Sequence, residues 1–239
     1  MVRRSLVLAA VLVLITGCST VDSADIDTSG ITANLLVTVP DGTTTGEVSA
    51  TLRVGTMTYV ELGGGEKLSA SGGGQTATLK RSKLAGATTY TGRLDGAGTA
   101  GTEITFALER DGGKASAPTS VVKVPEPVQL TAPAAGARIS RRSDLVLRFA
   151  AAGDGGRVSW AGPCIQGGSL TLEGGRTSAT ISGSTIRALP TPTPNAEATA
   201  SCELTLTVTR RSDGTLDKTF KDGSVAAEIQ TVRQVISAP

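Results

Sequence analysis

Apolar and polar residues alternate along much of the chain, and this alternation predicts β-strands. Val48, Ala50, Leu52 and Val54 alternate with small or polar residues, and residues 104–108 repeat the pattern with Ile, Phe and Leu. Successive side chains of a strand point to opposite faces, so each run would bury one face only. Similar runs predict strands at residues 33–39, 58–62, 76–80, 89–94 and 119–124.

Glycine-containing turns separate these predicted strands. Asp95-Gly96 and Asp111-Gly112 are typical hairpin signals, and two glycine triplets lie between other strands. Seven or eight short strands within about a hundred residues are typical of a β-sandwich. The first block of the chain is therefore predicted to be a sandwich.

A proline-containing connector at residues 124–128 separates this block from a second one. Pro125 and Pro127 flank a single residue, which makes the segment stiff and extended, so we place a domain boundary after residue 124. Beyond it, strands are predicted at residues 128–131, 145–149, 157–160, 169–172, 178–181, 202–208 and 225–236. A β-bulge is expected in the last strand, where the apolar phase changes after Ile229.

The opening of the second block resembles bacterial immunoglobulin-like domains. An extended apolar run at residues 128–131 is followed by Pro133 and Gly136 in a turn and by a second apolar run at 145–149. The resemblance implies an immunoglobulin-like sandwich. The expected fold class is therefore all-β, with two consecutive immunoglobulin-like β-sandwich domains.

The N-terminus has the pattern of an export signal. Two arginines precede an unbroken apolar run at residues 6–15, about half the length of a membrane-spanning helix. The Ile-Thr-Gly-Cys sequence ending at Cys18 resembles the lipobox of bacterial lipoproteins. This resemblance implies cleavage after residue 17 and a diacylglyceryl group on Cys18, a membrane anchor when combined with a further acyl chain such as palmitate. By the same resemblance, Ser19 in place of aspartate implies the outer membrane rather than the inner one.

The expected organisation has four parts. Residues 1–17 form the signal peptide, and residues 18–30 form the lipidated cysteine and a flexible tether, because they are small, polar and acidic. Residues 31–124 form the first sandwich, and residues 125–239 form the second, which contains a disulfide.

Charge argues against nucleic acid as a partner. The whole chain carries a net charge of +2, but its signal peptide contains two of the 23 basic residues and none of the 21 acidic ones. The mature chain is therefore neutral and would not attract polyanions in general.

The two remaining cysteines, Cys164 and Cys202, are expected to form a disulfide outside the cytoplasm. Cys202 begins a run that alternates cleanly, which places its side chain on the inward face of a strand. Trp160 precedes Cys164, whereas antibody domains place the tryptophan between the two cysteines. The bridge is therefore expected to tie a loop or strand end to a strand, without antibody topology.

Catalytic motifs are poorly represented. The chain has no histidine, which removes Ser–His chemistry and the commonest metal ligand. Ser120 and Lys123 match the S-x-x-K motif, but residues three apart on a strand point to opposite faces. Most aspartates adjoin a glycine, as turn residues do. We predict no catalytic residue, metal site or cofactor.

Two features are candidates for partner binding. Three basic turns, beginning at Lys80, Arg141 and Arg210, would hold an anionic surface polymer if they clustered in space, although solvated turn charges explain them as well. An exposed loop containing Pro190, Pro192 and Pro194 lies within the disulfide-closed segment and is the preferred candidate for contact with another envelope protein.

Together these features predict a membrane-anchored lipoprotein of the bacterial cell envelope that acts as a non-enzymatic binding or structural module. Two alternatives remain open. One is a hydrolase that uses two carboxylates from different strands. The other is an accessory subunit of an envelope complex, which an extended exposed apolar patch would favour.

Overall fold

The computed structural model describes residues 19–84, 86–153, 155–188 and 201–239. Regular structure in these residues is almost entirely β-strand, with three single 3₁₀ turns at Ser23–Asp25, Thr28–Gly30 and Gly183–Thr185. The all-β fold class is therefore confirmed.

Eighteen strands follow one another along the described residues. They are β1 (Ser19–Asp22), β2 (Thr32–Val39), β3 (Gly46–Val54), β4 (Thr58–Glu61), β5 (Lys67–Gly72), β6 (Gln75–Thr78), β7 (Lys80–Leu84), β8 (Ala87–Leu94), β9 (Glu103–Glu109), β10 (Ala117–Lys123), β11 (Leu130–Ala132), β12 (Arg138–Ser140), β13 (Leu145–Phe149), β14 (Gly156–Gly162), β15 (Ile165–Leu172), β16 (Ser178–Ile181), β17 (Cys202–Asp213) and β18 (Asp222–Ala238).

These strands form three sheets. The largest runs in the order β1-β4-β3-β2-β18-β17-β14-β15, with β8 also paired to β3, β7 to β8 and β12 to β18. A four-stranded sheet has the order β10-β9-β5-β6, and a three-stranded sheet has the order β11-β13-β16. The two smaller sheets cover different halves of the large one.

The first hydrophobic core lies between the four-stranded sheet and one half of the large sheet. Every second residue of β2 is buried, including Leu35, Val37 and Val39, and β3 has the same alternation. Phe106 and Leu108 of β9 belong to the same core on the opposite sheet. The period-two pattern of the sequence therefore marks the two inner faces of a sandwich.

The second core lies between the three-stranded sheet and the other half of the large sheet. Leu147 of β13 belongs to it, together with Trp160 of β14 and Leu204 and Leu206 of β17. The strands predicted at 145–149 and 178–181 agree with β13 and β16 at both ends.

Strand β18 joins the two halves. Its first part, from Asp222 to Ile229, pairs in parallel with β2, while residues 226–237 pair antiparallel with β17. Val225 and Ile229 pack in the first core and Val235 packs in the second. The C-terminal strand therefore belongs to both sandwiches, whereas the sequence predicts that residues 125–239 form the second sandwich alone.

The prediction of a β-bulge after Ile229 is wrong. The β17–β18 register continues without a shift from Cys202↔Ser237 to Asp213↔Ala226. The apolar pattern is interrupted because Thr231 and Arg233 occupy the inward face where the strand passes between the two cores. No apolar side chain is needed at that point.

Candidate functional site

The N-terminal segment, residues 19–30, is packed against the first sandwich. Strand β1 pairs in parallel with β4, so that Ser19 lies opposite Thr58, and their hydroxyls are 2.8 Å apart. Ser23 and Thr28 are each 1% exposed. The composition of these residues predicts a flexible tether. That prediction is wrong, because strand pairing and burial hold the residues in place.

A buried arginine secures this segment. The Arg110 side chain is fully buried and forms an ion pair with Glu66, with 2.6 Å between Nε and Oε1. Its Nη1 donates to the Thr28 hydroxyl at 2.9 Å, and its Nη2 donates to the carbonyls of Ser23 and Ile26 at 2.8 and 2.9 Å. Guanidinium donors thus replace the water that these carbonyls would otherwise bind.

Sequence reasoning missed this arginine. Arg110 stands directly before Asp111-Gly112, and an arginine beside a turn usually lies in solvent. Its partners are 44 to 87 positions away along the chain. No local signal distinguishes it from the exposed arginines.

The predicted disulfide is confirmed, and it ties a turn to a strand as expected. Cys164 lies in the turn between β14 and β15, and Cys202 is the first residue of β17. Both cysteines are half-buried at the edge of the second core, which is less than the full burial expected from the alternation. Closing the 38-residue separation would contribute about 4 kcal/mol in the chain-entropy model.

Several predicted site residues lie outside the described part of the chain. These are the lipidation site Cys18 and the three prolines of the candidate partner loop, Pro190, Pro192 and Pro194. Their roles stay predictions.

The three basic segments do not share one conformation. The segment that begins at Arg141 is a turn, and Arg141 donates to Sγ of Cys164. The segment at Lys80 is instead the edge strand β7, and the one at Arg210 is the end of β17. The sequence predicts turns at both. For β7 the difference has a physical reason, because an edge strand readily carries lysine and arginine, which discourage unwanted pairing.

Charged contacts of β7 are made within the first sandwich. Arg81 and Lys83 both pair with Glu61 of β4, at 3.0 and 2.5 Å. The hydrogen bond from Lys83 is the main cause of a lowered pKa of the Glu61 carboxyl. Arg141 donates a hydrogen bond to the Ser237 hydroxyl, and Arg210 donates one to the carbonyl of Glu126.

The buried carboxylate of Asp217 has a structural role. Thr119 donates to its Oδ2 from both the backbone (2.8 Å) and the hydroxyl (2.7 Å), and the Thr219 backbone donates to its Oδ1 at 2.9 Å. Burial raises the pKa of Asp217, but these hydrogen bonds outweigh it and lower the pKa to about 2. The carboxylate therefore holds the segment before β18 against β10.

The S-x-x-K residues are separated as the strand geometry requires. Ser120 is fully buried in β10 and accepts a hydrogen bond from the backbone of Asp217, while Lys123 is exposed. The hydroxyl and the amine do not form a nucleophile–base pair.

Two carboxylates do meet in an open cleft at the end of β17. Asp213 and Glu228 both pair with Arg211, at 3.0 and 3.1 Å, and the Asp213 side chain is 77% exposed. One guanidinium thus pairs with both acids. The cleft lacks the desolvated carboxyl that catalysis by paired carboxylates uses.

A groove of about 640 Å³ is lined by residues of β2, β3, β6, β7 and β8. Thr38, Ser49 and Thr78 line it, and its charged residues are Lys80, Arg93 and Glu47, the last two of which form an ion pair. Within the described ranges, no group of three metal-ligating side chains was found, and no helix is long and apolar enough to cross a membrane.

Comparison with known proteins gives no family. No protein-family model matches the chain, and no curated protein matches it. Solved structures similar to it include the fibronectin(III)-like modules of CbhA from Clostridium thermocellum, with 15% identity over 87% of this chain and 93% of that one and a TM-score of 0.26.

A two-domain fibronectin type III segment of chicken tenascin is also similar, with 12% identity over 83% of this chain and 96% of that one and a TM-score of 0.23. A chain from the complex of Dpr11 IG1 with DIP-gamma IG+IG2 is similar at 8% identity, covering 86% of this chain and 95% of that one, with a TM-score of 0.23.

Proposed function

We propose that the protein is a lipid-anchored component of the bacterial cell envelope whose β-sandwich body is a non-enzymatic binding or structural module. The observation that carries the proposal is the lipobox-like sequence that ends at Cys18, directly behind the ten-residue apolar run at 6–15. Ser19 at the next position favours the outer membrane.

The use of the buried acids supports a role without catalysis. Glu66 neutralises Arg110, and Asp217 holds a chain segment through three hydrogen bonds. These carboxylates are occupied by structural partners. The loop with Pro190, Pro192 and Pro194 is our candidate for contact with another envelope protein or a surface polymer.

Intact mass and detergent partitioning test the anchor. We expect the native protein to carry the added mass of acyl chains and to partition into the detergent phase, and Cys18→Ser to do neither. The Cys164–Cys202 disulfide should be intact in both, which controls for folding. A native protein that is unmodified and stays in the aqueous phase would refute the anchor.

The partner loop needs a separate test. Replacing residues 189–195 with a glycine-serine segment of equal length leaves both cysteines in place. We expect this variant to lose crosslinks to its envelope partner while keeping the anchor. Unchanged crosslinks would show that another surface binds the partner.

A further inference from the structure

The position of Ser19 determines where an anchor on Cys18 would lie. Ser19 is held by parallel pairing with Thr58 and by the contact between their hydroxyls. One peptide bond separates Cys18 from Ser19, so consecutive Cα atoms are about 3.8 Å apart. A lipid on Cys18 would therefore join the fold without a spacer.

Two hairpin turns lie at the same end of the large sheet as Ser19. Strand β3 ends at Val54 and turns through residues 55–57 into β4, whose first residue is Thr58. Strand β8 runs antiparallel to β3, so its start and the turn after β7 also lie at this end. The anchor point and both turns thus share one end of the sandwich.

Among the side chains that the structure describes at this end, Met57 is the large apolar one that is exposed. It is 52% exposed in the β3–β4 turn and directly precedes Thr58. The other large apolar side chains that are exposed in the described residues, Val146 and Val232, lie on β13 and β18. Exposure of a methionine costs free energy in water and is favourable at a lipid interface.

The nearby strand β7 adds positive charge. Lys80, Arg81 and Lys83 outnumber their acidic neighbour Glu61, and the Arg81 and Lys83 side chains are 47% and 54% exposed. Long basic side chains on a strand that runs towards the same end of the sheet as an exposed apolar turn suit the headgroup region of a bilayer.

We infer that the β3–β4 turn, with Met57 at its tip, is the surface by which this protein contacts the lipid bilayer, held there by the strand that follows Cys18. The inference rests on the proposed lipidation of Cys18. It also defines the orientation of the protein, because the large sheet would stand with this end on the membrane.

Tryptophan fluorescence tests the contact in the full lipidated chain. Met57→Trp and the control Val146→Trp are reconstituted into phosphatidylcholine vesicles with or without brominated acyl chains, and the parent protein supplies the background from buried Trp160. We expect Met57→Trp emission to shift to the blue and to be lost with brominated lipid. Emission of Val146→Trp should not change.

A glycine-serine spacer of about ten residues between Cys18 and Ser19, with an r.m.s. length of about 17 Å, tests the role of the strand. We expect the Met57→Trp variant with this spacer to float with vesicles but to lose most of its quenching. Unchanged quenching would refute the role of strand pairing.

The outcomes separate this inference from the proposed function. An acylated Met57→Trp protein that floats with vesicles while its emission responds to brominated lipid no more than that of the control would overturn the contact surface and leave the anchor standing. A protein that carries no acyl chain and does not float would overturn both.

Discussion

At the scale of single residues, buried polar groups hold the peripheral segments in place. Arg110 and Glu66 secure the N-terminal segment, and Asp217 secures the segment before β18. A buried charge that loses its partner is far more costly than an exposed one. The more deeply buried a charged group is, the more its removal should therefore lower the free energy of unfolding.

Replacing Arg110 with alanine should be strongly destabilising. The Glu66 carboxylate, only 5% exposed, would lose its partner, so we expect the free energy of unfolding to fall by about 3–5 kcal/mol in urea titrations. Arg93→Ala is the matched control, because the Arg93–Glu47 pair is 74% and 48% exposed, and it should cost less than about 1 kcal/mol. Equal losses would contradict the structural role of Arg110.

Asp217 should make stability depend on acid pH. Its pKa is about 2 in the folded protein against an ordinary 3.8, so its contribution is present above pH 4 and is lost as the pH falls towards 2. We expect the difference in unfolding free energy between the wild type and Asp217→Asn to shrink by about 2 kcal/mol over this interval. If the unfolding free energies of the wild type and Asp217→Asn instead differed by the same amount at every pH, Asp217 would not titrate in this way.

At the scale of elements, the close approach of β18 to β2 depends on one glycine. Gly223 has a φ of +132°, and a Cβ at this position would overlap the carbonyl of Ala33 on β2. This contact is part of the parallel pairing that attaches the C-terminal strand to the first sandwich.

Gly223→Ala should therefore destabilise the protein by about 2–4 kcal/mol, because both the backbone conformation and the strand spacing must change. Gly42→Ala is a suitable comparison. Its φ is +70°, but nothing lies within 4 Å of its added Cβ, so we expect a loss of only about 1–2 kcal/mol. Thermal unfolding followed by circular dichroism would rank the two variants, and a Gly223→Ala protein as stable as Gly42→Ala would contradict the packing argument.

At the scale of the whole molecule, β18 makes the two sandwiches share one sheet. The same strand supplies Val225 to the first core and Val235 to the second. Unfolding of either sandwich would therefore disrupt the strand pairing of β18 in the other sandwich. We expect the two sandwiches to unfold together.

Calorimetry should accordingly show a single transition, with equal calorimetric and van't Hoff enthalpies. Thr231→Pro places a proline where β18 pairs with Val208 between the two cores, and it should split or broaden the transition. Thr231→Val, which keeps a strand-forming residue, should retain one transition. Two separate transitions in the wild type would refute the coupling.

Much of the architecture was determined by the sequence itself. Period-two alternation located most strands, since β13 and β16 match their predicted ends and the strict alternation of β2 and β3 marks the first core. The cysteine pair was also predictable, because the lipobox-like sequence assigns Cys18 to lipidation, and the two cysteines left in a chain predicted to be exported have only each other as partners. Such features depend on local pattern or on composition.

Tertiary structure alone decided the rest. Burial of Arg110, packing of residues 19–30 and the extension of β18 into both sandwiches all depend on partners far away in the chain. A polar segment such as 19–30 has the composition of a linker, and only the strand and the buried guanidinium beside it supply the hydrogen bonds that order it. Local pattern determines which face of a strand is apolar, whereas long-range pairing determines which core that face covers.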